Sequence, residues 1–103
     1  MGLFSKEYSI IKKNDVGKFL IKLDERDLNK EGTYVVPKDV VAVYDHAFSS
    51  TWVKSVVVDK NCKGIGENAF LNCDRLVSIE IPEGVTEIKK SAFESCSSLE
   101  EII

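Results

Sequence analysis

Three cysteines and one histidine are the side chains in this sequence that could bind a metal ion or act as nucleophiles. Zinc sites draw paired ligands from short motifs such as C-x-x-C. Cys62, Cys73 and Cys96 form no such pair, and His46 lies well before the first of them. We therefore expect no metal site, and three reduced thiols that are buried as small hydrophobic groups.

Other motifs for catalysis or cofactor binding are weak or missing. Gly64-Ile65-Gly66 lacks the third glycine and the strand-to-helix setting of a phosphate-binding loop. The sequence contains no G-x-S-x-G nucleophile motif. Its acidic residues are spread singly, so they assemble no paired-carboxylate site. These observations predict a protein that is not an enzyme and that binds no cofactor.

The composition argues against several further classes. With 14 basic and 17 acidic residues, the net charge of −3 disfavours binding to nucleic acid through a broad basic face. The longest apolar run, around residues 56–58, is far shorter than a membrane span. Residues 1–8 lack the apolar core of a secretory signal. The sequence alone thus predicts a cytoplasmic protein with no membrane association.

An internal repeat is the strongest pattern in the chain. Three Ala-Phe pairs recur at intervals of 22 and 23 residues, and further apolar columns lie at fixed offsets around them. The pairs are Ala47-Phe48, Ala69-Phe70 and Ala92-Phe93, and the columns include Val43, Ile65 and Ile88 as well as Thr51, Cys73 and Cys96. Such a pattern indicates a solenoid, in which each coil buries its apolar residues against its neighbours.

A short strand of the type Leu-x-x-Ile-x-Ile follows each Ala-Phe pair, and its alternate residues are predicted to point inward. Leu76, Ile79 and Ile81 form the best-defined example. After Phe48 the same column begins one residue early, at Val53, which a deletion in the preceding turn explains. We therefore predict a mainly β solenoid of about three coils, each of 22–23 residues, over residues 34–103.

Residues 1–33 are predicted to form an N-terminal β-hairpin cap and a linker. A solenoid exposes apolar surface and strand edges at its ends, and these need to be covered. Residues 7–13 are a candidate strand, and Asn14-Asp15-Val16-Gly17 is a candidate hairpin turn with a positive φ at the glycine. In residues 18–23 the alternation predicts Phe19, Ile21 and Leu23 on one face. A small separate recognition element is the alternative.

The repeats resemble those of the BspA-like leucine-rich repeat family, whose pattern runs roughly I-P-x-x-V-x-x-I-x-x-x-A-F-x-x-C-x-x-L-x-x-I. Residues 81–102 match every specified position, and residues 58–80 and 36–57 match with few departures. The resemblance covers about two thirds of the chain. It implies a right-handed solenoid with one sheet made of the repeat strands, and adhesion to surfaces when such repeats are secreted.

We therefore expect a non-catalytic module for protein–protein interaction. Two alternatives stay open: a small cytoplasmic inhibitor, from a phage or mobile element, that blocks a host protein, and the N-terminal fragment of a longer surface adhesin. Solenoids of this type bind through the outer face of their strand sheet, so outward strand positions and two aromatic residues in variable turns are the candidate binding residues. They are Val35, Val57, Glu80 and Ile103 in one row, Thr33, Ser55, Ser78 and Glu101 in the next, and Tyr44 and Trp52 in the turns.

The C-terminal residues show no recognisable cap. Leu99, Glu101, Ile102 and Ile103 fall in a predicted strand and form a candidate dimer edge. Either the sequence is cut from a longer array, or a two-fold homodimer covers this edge. Cys73 and Cys96 share a column, so a disulfide between them is geometrically conceivable, although the family resemblance makes that column a core position.

Overall fold

The computed structural model describes residues 7–103, in which two β-sheets wrap around one core and no α-helix occurs. The expectations for residues 1–6 lie outside this range. The strands are β1 (Ile10–Lys13), β2 (Lys18–Lys22), β3 (Thr33–Val35), β4 (Val40–Val43), β5 (Ser55–Val57), β6 (Gly64–Ile65), β7 (Ser78–Glu80), β8 (Glu87–Ile88) and β9 (Glu101–Ile102), and a 3-10 helix spans Glu25–Asp27. The predicted mainly β solenoid is confirmed.

The first sheet, which we call the front sheet, contains the repeat strands β3, β5, β7 and β9 in that order. All three pairings are parallel and in register, so that Tyr34, Val56 and Ile79 stack in one inward column. The four strands correspond to about four coils, close to the predicted three. Parallel pairing follows from the repeat, because each coil brings the same residue to the same place.

A second sheet, which we call the back sheet, has the order β1-β2-β4-β6-β8. The family resemblance implied only one sheet, so this sheet is a correction. The segments β4, β6 and β8 pair in parallel at equivalent repeat positions, for example Val43 with Ile65 and Ile65 with Ile88. Strands of two residues are too short to show the alternation by which a strand is recognised in a sequence.

Aromatic rings form a continuous column through the core. Phe48 and Phe70 are fully buried and stack with ring centroids 4.5 Å apart, and Phe70 stacks on Phe93 at 5.2 Å. Tyr34 meets Phe48 edge-to-face at 5.8 Å and ends the column on the N-terminal side. The repeat thus predicts the three phenylalanines, while the structure adds Tyr34 to the same column.

The turns around each Ala-Phe pair use left-handed backbone at equivalent positions. His46, Asn68 and Ser91 have φ between 56° and 61°, a region in which residues other than glycine are uncommon. Their backbone links the coils, since the amide of His46 donates to Glu67 O and that of Asn68 to Lys90 O. The predicted turn position of His46 agrees with this geometry.

The N-terminal hairpin forms from β1 and β2, which pair antiparallel, with β2 in turn parallel to β4. The Asn14 side chain accepts hydrogen bonds from the amides of Val16 and Gly17, and Gly17 has a φ of 152°. The first strand begins at Ile10 rather than Glu7.

The predicted common face of the second hairpin strand holds for Phe19 and Ile21 but not for Leu23. Leu20 and Leu23 are buried, whereas Phe19 and Ile21 lie on the outer side of the back sheet and are only partly covered. The reason is the docking on β4: Leu20 pairs with the buried Val43, which sets the inward positions of the strand. Leu23 lies after the strand ends, so its burial does not follow the alternation.

Candidate functional site

Two outward rows of the front sheet contain most of the predicted binding residues. The register pairs Val35 with Val57 and Val57 with Glu80. Val35 is 63% exposed, Val57 is half-buried, and Ile103 continues the row by accepting a hydrogen bond from the amide of Ile81. The predicted row therefore exists as a surface, with two valines side by side at its N-terminal end.

The neighbouring row is polar and lies parallel to the first. Thr33, Ser55 and Ser78 occupy successive rungs, and Glu101 follows them. The hydroxyl oxygens of Thr33 and Ser55 lie 2.8 Å apart in a hydrogen bond. The front face thus presents an apolar pair beside a hydroxyl row, and the carboxylates of Glu80 and Glu101 stand towards its C-terminal end.

Trp52 lies in the turn before β5 and is 38% exposed. Its backbone amide donates a hydrogen bond of 2.9 Å to the Glu25 carboxylate, which joins this turn to the 3-10 helix. A cleft of about 440 Å³ beside it is lined by Glu25, Asp74 and Arg75 as well. Trp52 therefore combines an exposed aromatic surface with a fixed backbone and a partly charged neighbourhood.

Tyr44 lies elsewhere, immediately after β4 on the back sheet, and is 52% exposed. It lines a cleft of about 450 Å³ with Phe19, Ile21 and the lysines of β1. The structure thus divides the predicted binding residues between the front face, the Trp52 cleft and the back sheet. The alternation places Phe19 and Ile21 on one face but does not say which way that face points, and the structure turns it outward.

The C-terminal coil is uncovered within residues 7–103. Ile88, Ile102 and Ile103 are 49%, 57% and 65% exposed, although Ile65 and Ile79 in the equivalent columns are buried. Leu99 and Phe93 are half-buried against the core. The predicted dimer edge is therefore an exposed apolar edge, because no described coil stacks on β8 and β9.

Cys62 and Cys73 are buried as predicted, whereas Cys96 is only half-buried. Cys73 Sγ donates to Phe48 O at 3.0 Å, and Cys96 Sγ donates to Phe70 O at 3.1 Å, so each thiol bonds to the preceding coil. Burial raises the pKa of Cys73 to about 11 and also raises the pKa values of Cys62 and Cys96. All three are free cysteines. Among residues 7–103 no three His, Cys, Asp or Glu side chains group as metal ligands, and no helix there is long and apolar enough to cross a membrane.

The chain is similar to known repeat proteins in both sequence and fold. A family model described as the BspA type leucine rich repeat region (6 copies) matches residues 31–103. No curated protein matches the chain. Among solved structures, a leucine rich cell surface protein from Faecalibacterium prausnitzii shares 21% sequence identity with a TM-score of 0.52.

That match covers 91% of this chain and 37% of the Faecalibacterium protein, so the chain spans little more than a third of its solved relative. At this identity the likeness concerns the fold. The family model covers well over half of the chain and begins three residues before the predicted start of the repeats. The chain therefore belongs to the family of BspA type leucine rich repeat proteins.

Proposed function

We propose that the chain is a non-catalytic module that binds a protein partner through the outer face of the front sheet. The observation that carries this proposal is the row in which Val35, 63% exposed, lies directly beside Val57. Aliphatic side chains that adjoin one another on the outer face of a sheet supply the apolar centre that protein interfaces need. The repeat fold supports the same conclusion, because stacked coils present an extended surface.

The polar part of the face favours a partner of particular chemistry. The hydroxyl row, including Thr33 and Ser55, offers both donors and acceptors to a partner backbone or to amide side chains. Glu80 and Glu101 place two carboxylates at the C-terminal end, and neither row contains a lysine or arginine. A partner with an apolar centre and a basic flank complements this arrangement.

Trp52 serves as a second anchor in this proposal. Tryptophan and arginine are the residue types most enriched at energetic centres of interfaces, and Trp52 and Arg75 line the same cleft. The bond from the Trp52 amide to Glu25 holds the backbone of the turn in place, so this backbone loses little conformational entropy on binding.

The biological setting has two candidates. The likeness to a leucine rich cell surface protein supports a surface setting, in which the repeats form part of a longer protein. The rival is a small intracellular inhibitor that blocks a host protein. Detection of the native protein by antibody on intact cells, compared with permeabilised cells, separates the two settings.

A homodimer through the C-terminal coil is a second candidate role, favoured by the exposed Ile88, Ile102 and Ile103. Light scattering over a range of concentrations tests it. A mass that doubles with concentration, and that stays single in Ile102→Lys, supports the homodimer. A mass of one chain at every concentration contradicts it.

The main proposal is tested with a matched pair of variants, Val35→Lys and Ser97→Lys. Both add one positive charge at an exposed position, but Ser97 lies outside the front sheet. A partner isolated from source cells is purified, and its affinity for each variant is measured by calorimetry. We expect Val35→Lys to weaken binding about tenfold or more and Ser97→Lys to leave it within about twofold. Equal affinity for the two variants contradicts the proposal.

A further inference from the structure

The outer face of the back sheet forms a groove that the repeat pattern does not predict. Its central row runs across the strands, from Phe19 on β2 to Ala42 on β4, Gly64 on β6 and Glu87 on β8. Two adjoining clefts, of about 330 and 290 Å³, share these four residues. One cleft lies on each side of this row, so the two together form one continuous groove that runs parallel to the strands.

The floor of the groove is low because its residues are small. A Cβ atom at Gly64 would meet only Glu87 O, at 3.7 Å, so the space above this glycine is open. Ala42 adds a single methyl group beside it. The Phe19 ring forms one wall, and the side chain of Glu87 lies on the other side. An extended chain fits such a floor, since its alternate side chains can point down between the walls.

The side of the groove that contains Phe19 is apolar over a considerable length. Val16 and Val41 line the groove at one end, and Tyr44 lines it at the other, with Phe19 between them. Val16 is 75% exposed and Tyr44 is 52% exposed, so these side chains are available to a ligand. A third cleft, which contains Ile21, continues from Phe19 and Tyr44 towards β1. These side chains therefore form one contiguous apolar wall.

The charge around the groove is opposite in sign to that of the whole chain. Four exposed lysines and two exposed carboxylates line the three clefts, which gives 4 − 2 = +2, whereas the chain has a net charge of −3. The residues are Lys12, Lys13, Lys63, Lys89, Asp45 and Glu87. One carboxylate is already engaged, because Asp45 Oδ1 accepts a hydrogen bond of 2.8 Å from the Glu67 amide. In the two clefts on the central row Lys63 and Lys89 are balanced by Asp45 and Glu87, so the positive charge of the groove comes from Lys12 and Lys13 in the third cleft.

We propose that this groove is a second binding site, which takes an extended acidic peptide with apolar side chains between its aspartates or glutamates. The apolar side chains lie on Ala42 and Gly64 against Phe19, and the peptide carboxylates face Lys12 and Lys13 in the third cleft. Charge complementarity selects this occupant, since a neutral or basic peptide gains nothing from these two lysines. The site is separate from the front face and does not depend on it.

The test begins with a random peptide library displayed on phage and selected on the full chain. We expect the enriched peptides to carry aliphatic or aromatic residues flanked by Asp or Glu. Enrichment of neutral or basic peptides, or of none, overturns the proposal. The best peptide is then synthesised with a fluorophore, and its affinity is measured by fluorescence polarisation.

Variants locate the site. Gly64→Val fills the floor, and the double variant Lys12→Glu with Lys13→Glu reverses the charge of the third cleft, so each should weaken binding of the peptide about tenfold or more. Lys30→Glu with Lys54→Glu reverses two exposed lysines ahead of front-sheet strands, and Val35→Lys alters the front face. We expect both of these controls to retain wild-type affinity for the peptide. If the controls lose as much affinity as the groove variants, the proposal is wrong.

A measurement on the unaltered chain guards against misfolded variants. Titration of the peptide into isotope-labelled wild-type protein should shift the amide resonances of Ala42 and Gly64 more than those of Val35 and Val57. The opposite pattern places the peptide on the front face and overturns the second site. Tighter binding of a single-stranded oligonucleotide than of the peptide at the same groove also overturns it.

Discussion

Phe48 and Phe70 stack on successive coils with ring centroids 4.5 Å apart and an angle of 15° between the ring planes. Phe70 stacks in turn on Phe93, so its ring has an aromatic neighbour on each side. Phe93 closes the column and is only half-buried, because no described coil follows it. The core is therefore tightest in the middle coils and looser at the C-terminal end.

Replacing Phe70 should be the most damaging of the changes in this column. Phe70→Ala removes a fully buried ring and should lower the free energy of unfolding by about 3–5 kcal/mol. Phe93→Ala should cost clearly less, since part of that ring is already in contact with water. Urea unfolding followed by circular dichroism measures both. Equal losses for the two variants contradict the described gradient of packing.

Two glycines of the same coil, Gly64 and Gly66, should differ sharply in their tolerance of alanine. A Cβ at Gly66 would lie 2.5 Å from Asp45 Oδ1 and 2.6 Å from the Asp45 backbone nitrogen, so Gly66→Ala should destabilise by about 1–3 kcal/mol. Gly64→Ala meets only Glu87 O at 3.7 Å and should change stability by less than about 1 kcal/mol. Thermal unfolding compares the two. A more stable Gly66→Ala than Gly64→Ala would falsify this close approach.

Stability should decrease at high pH, in part through Tyr34. Burial raises the pKa of Tyr34 to about 12, with a further contribution from the Glu7 carboxylate. The neutral phenol is thus favoured in the folded chain. The stability that the raised pKa of Tyr34 gives the folded chain is fully present below the unfolded pKa of about 10 and is lost as the pH rises from there through about 12.

Unfolding experiments between pH 9 and pH 12 test this dependence. Tyr34→Phe should lose less stability over this range than the wild type, because phenylalanine has no proton to release. Tyr44→Phe is the matched control, since Tyr44 is exposed, and it should follow the wild type. Indistinguishable pH profiles for Tyr34→Phe and the wild type contradict a titrating Tyr34 in the core.

The three thiols should react with alkylating reagents in the order of their exposure. Cys73 is fully buried with a pKa raised to about 11, whereas Cys96 is half-buried at the uncovered end. Short pulses of iodoacetamide at neutral pH, read by peptide mass spectrometry, should label Cys96 well before Cys73 or Cys62. In urea the three rates should become similar. Rapid labelling of Cys73 in the folded protein would show that its hydrogen bond to Phe48 O does not persist.

The inward columns of the repeat could be predicted from the sequence alone. Ala47, Phe48, Val53, Val56 and Ile65 are all buried at the positions that the 22–23-residue spacing indicates. The reason is physical, since each coil places the same position against its neighbour, so the need to bury an apolar group is repeated in the sequence. The same logic predicts the register of the front rows, in which Val35 and Val57 lie side by side.

Contacts that occur once in the molecule were decided only by the tertiary structure. Phe19 rather than Leu20 faces outward because β2 docks on β4, a long-range pairing that no local alternation encodes. Tyr44 and Trp52 are both aromatic residues at variable turn positions of the repeat, yet they lie in different clefts. Tyr44 follows a strand of the back sheet, whereas Trp52 precedes a strand of the front sheet. Ile88 matches the buried Ile65 in the repeat but is 49% exposed, since burial requires a following coil. A repeated sequence therefore determines what each coil buries, while its edges, its cap and its grooves depend on which surfaces meet in the folded chain.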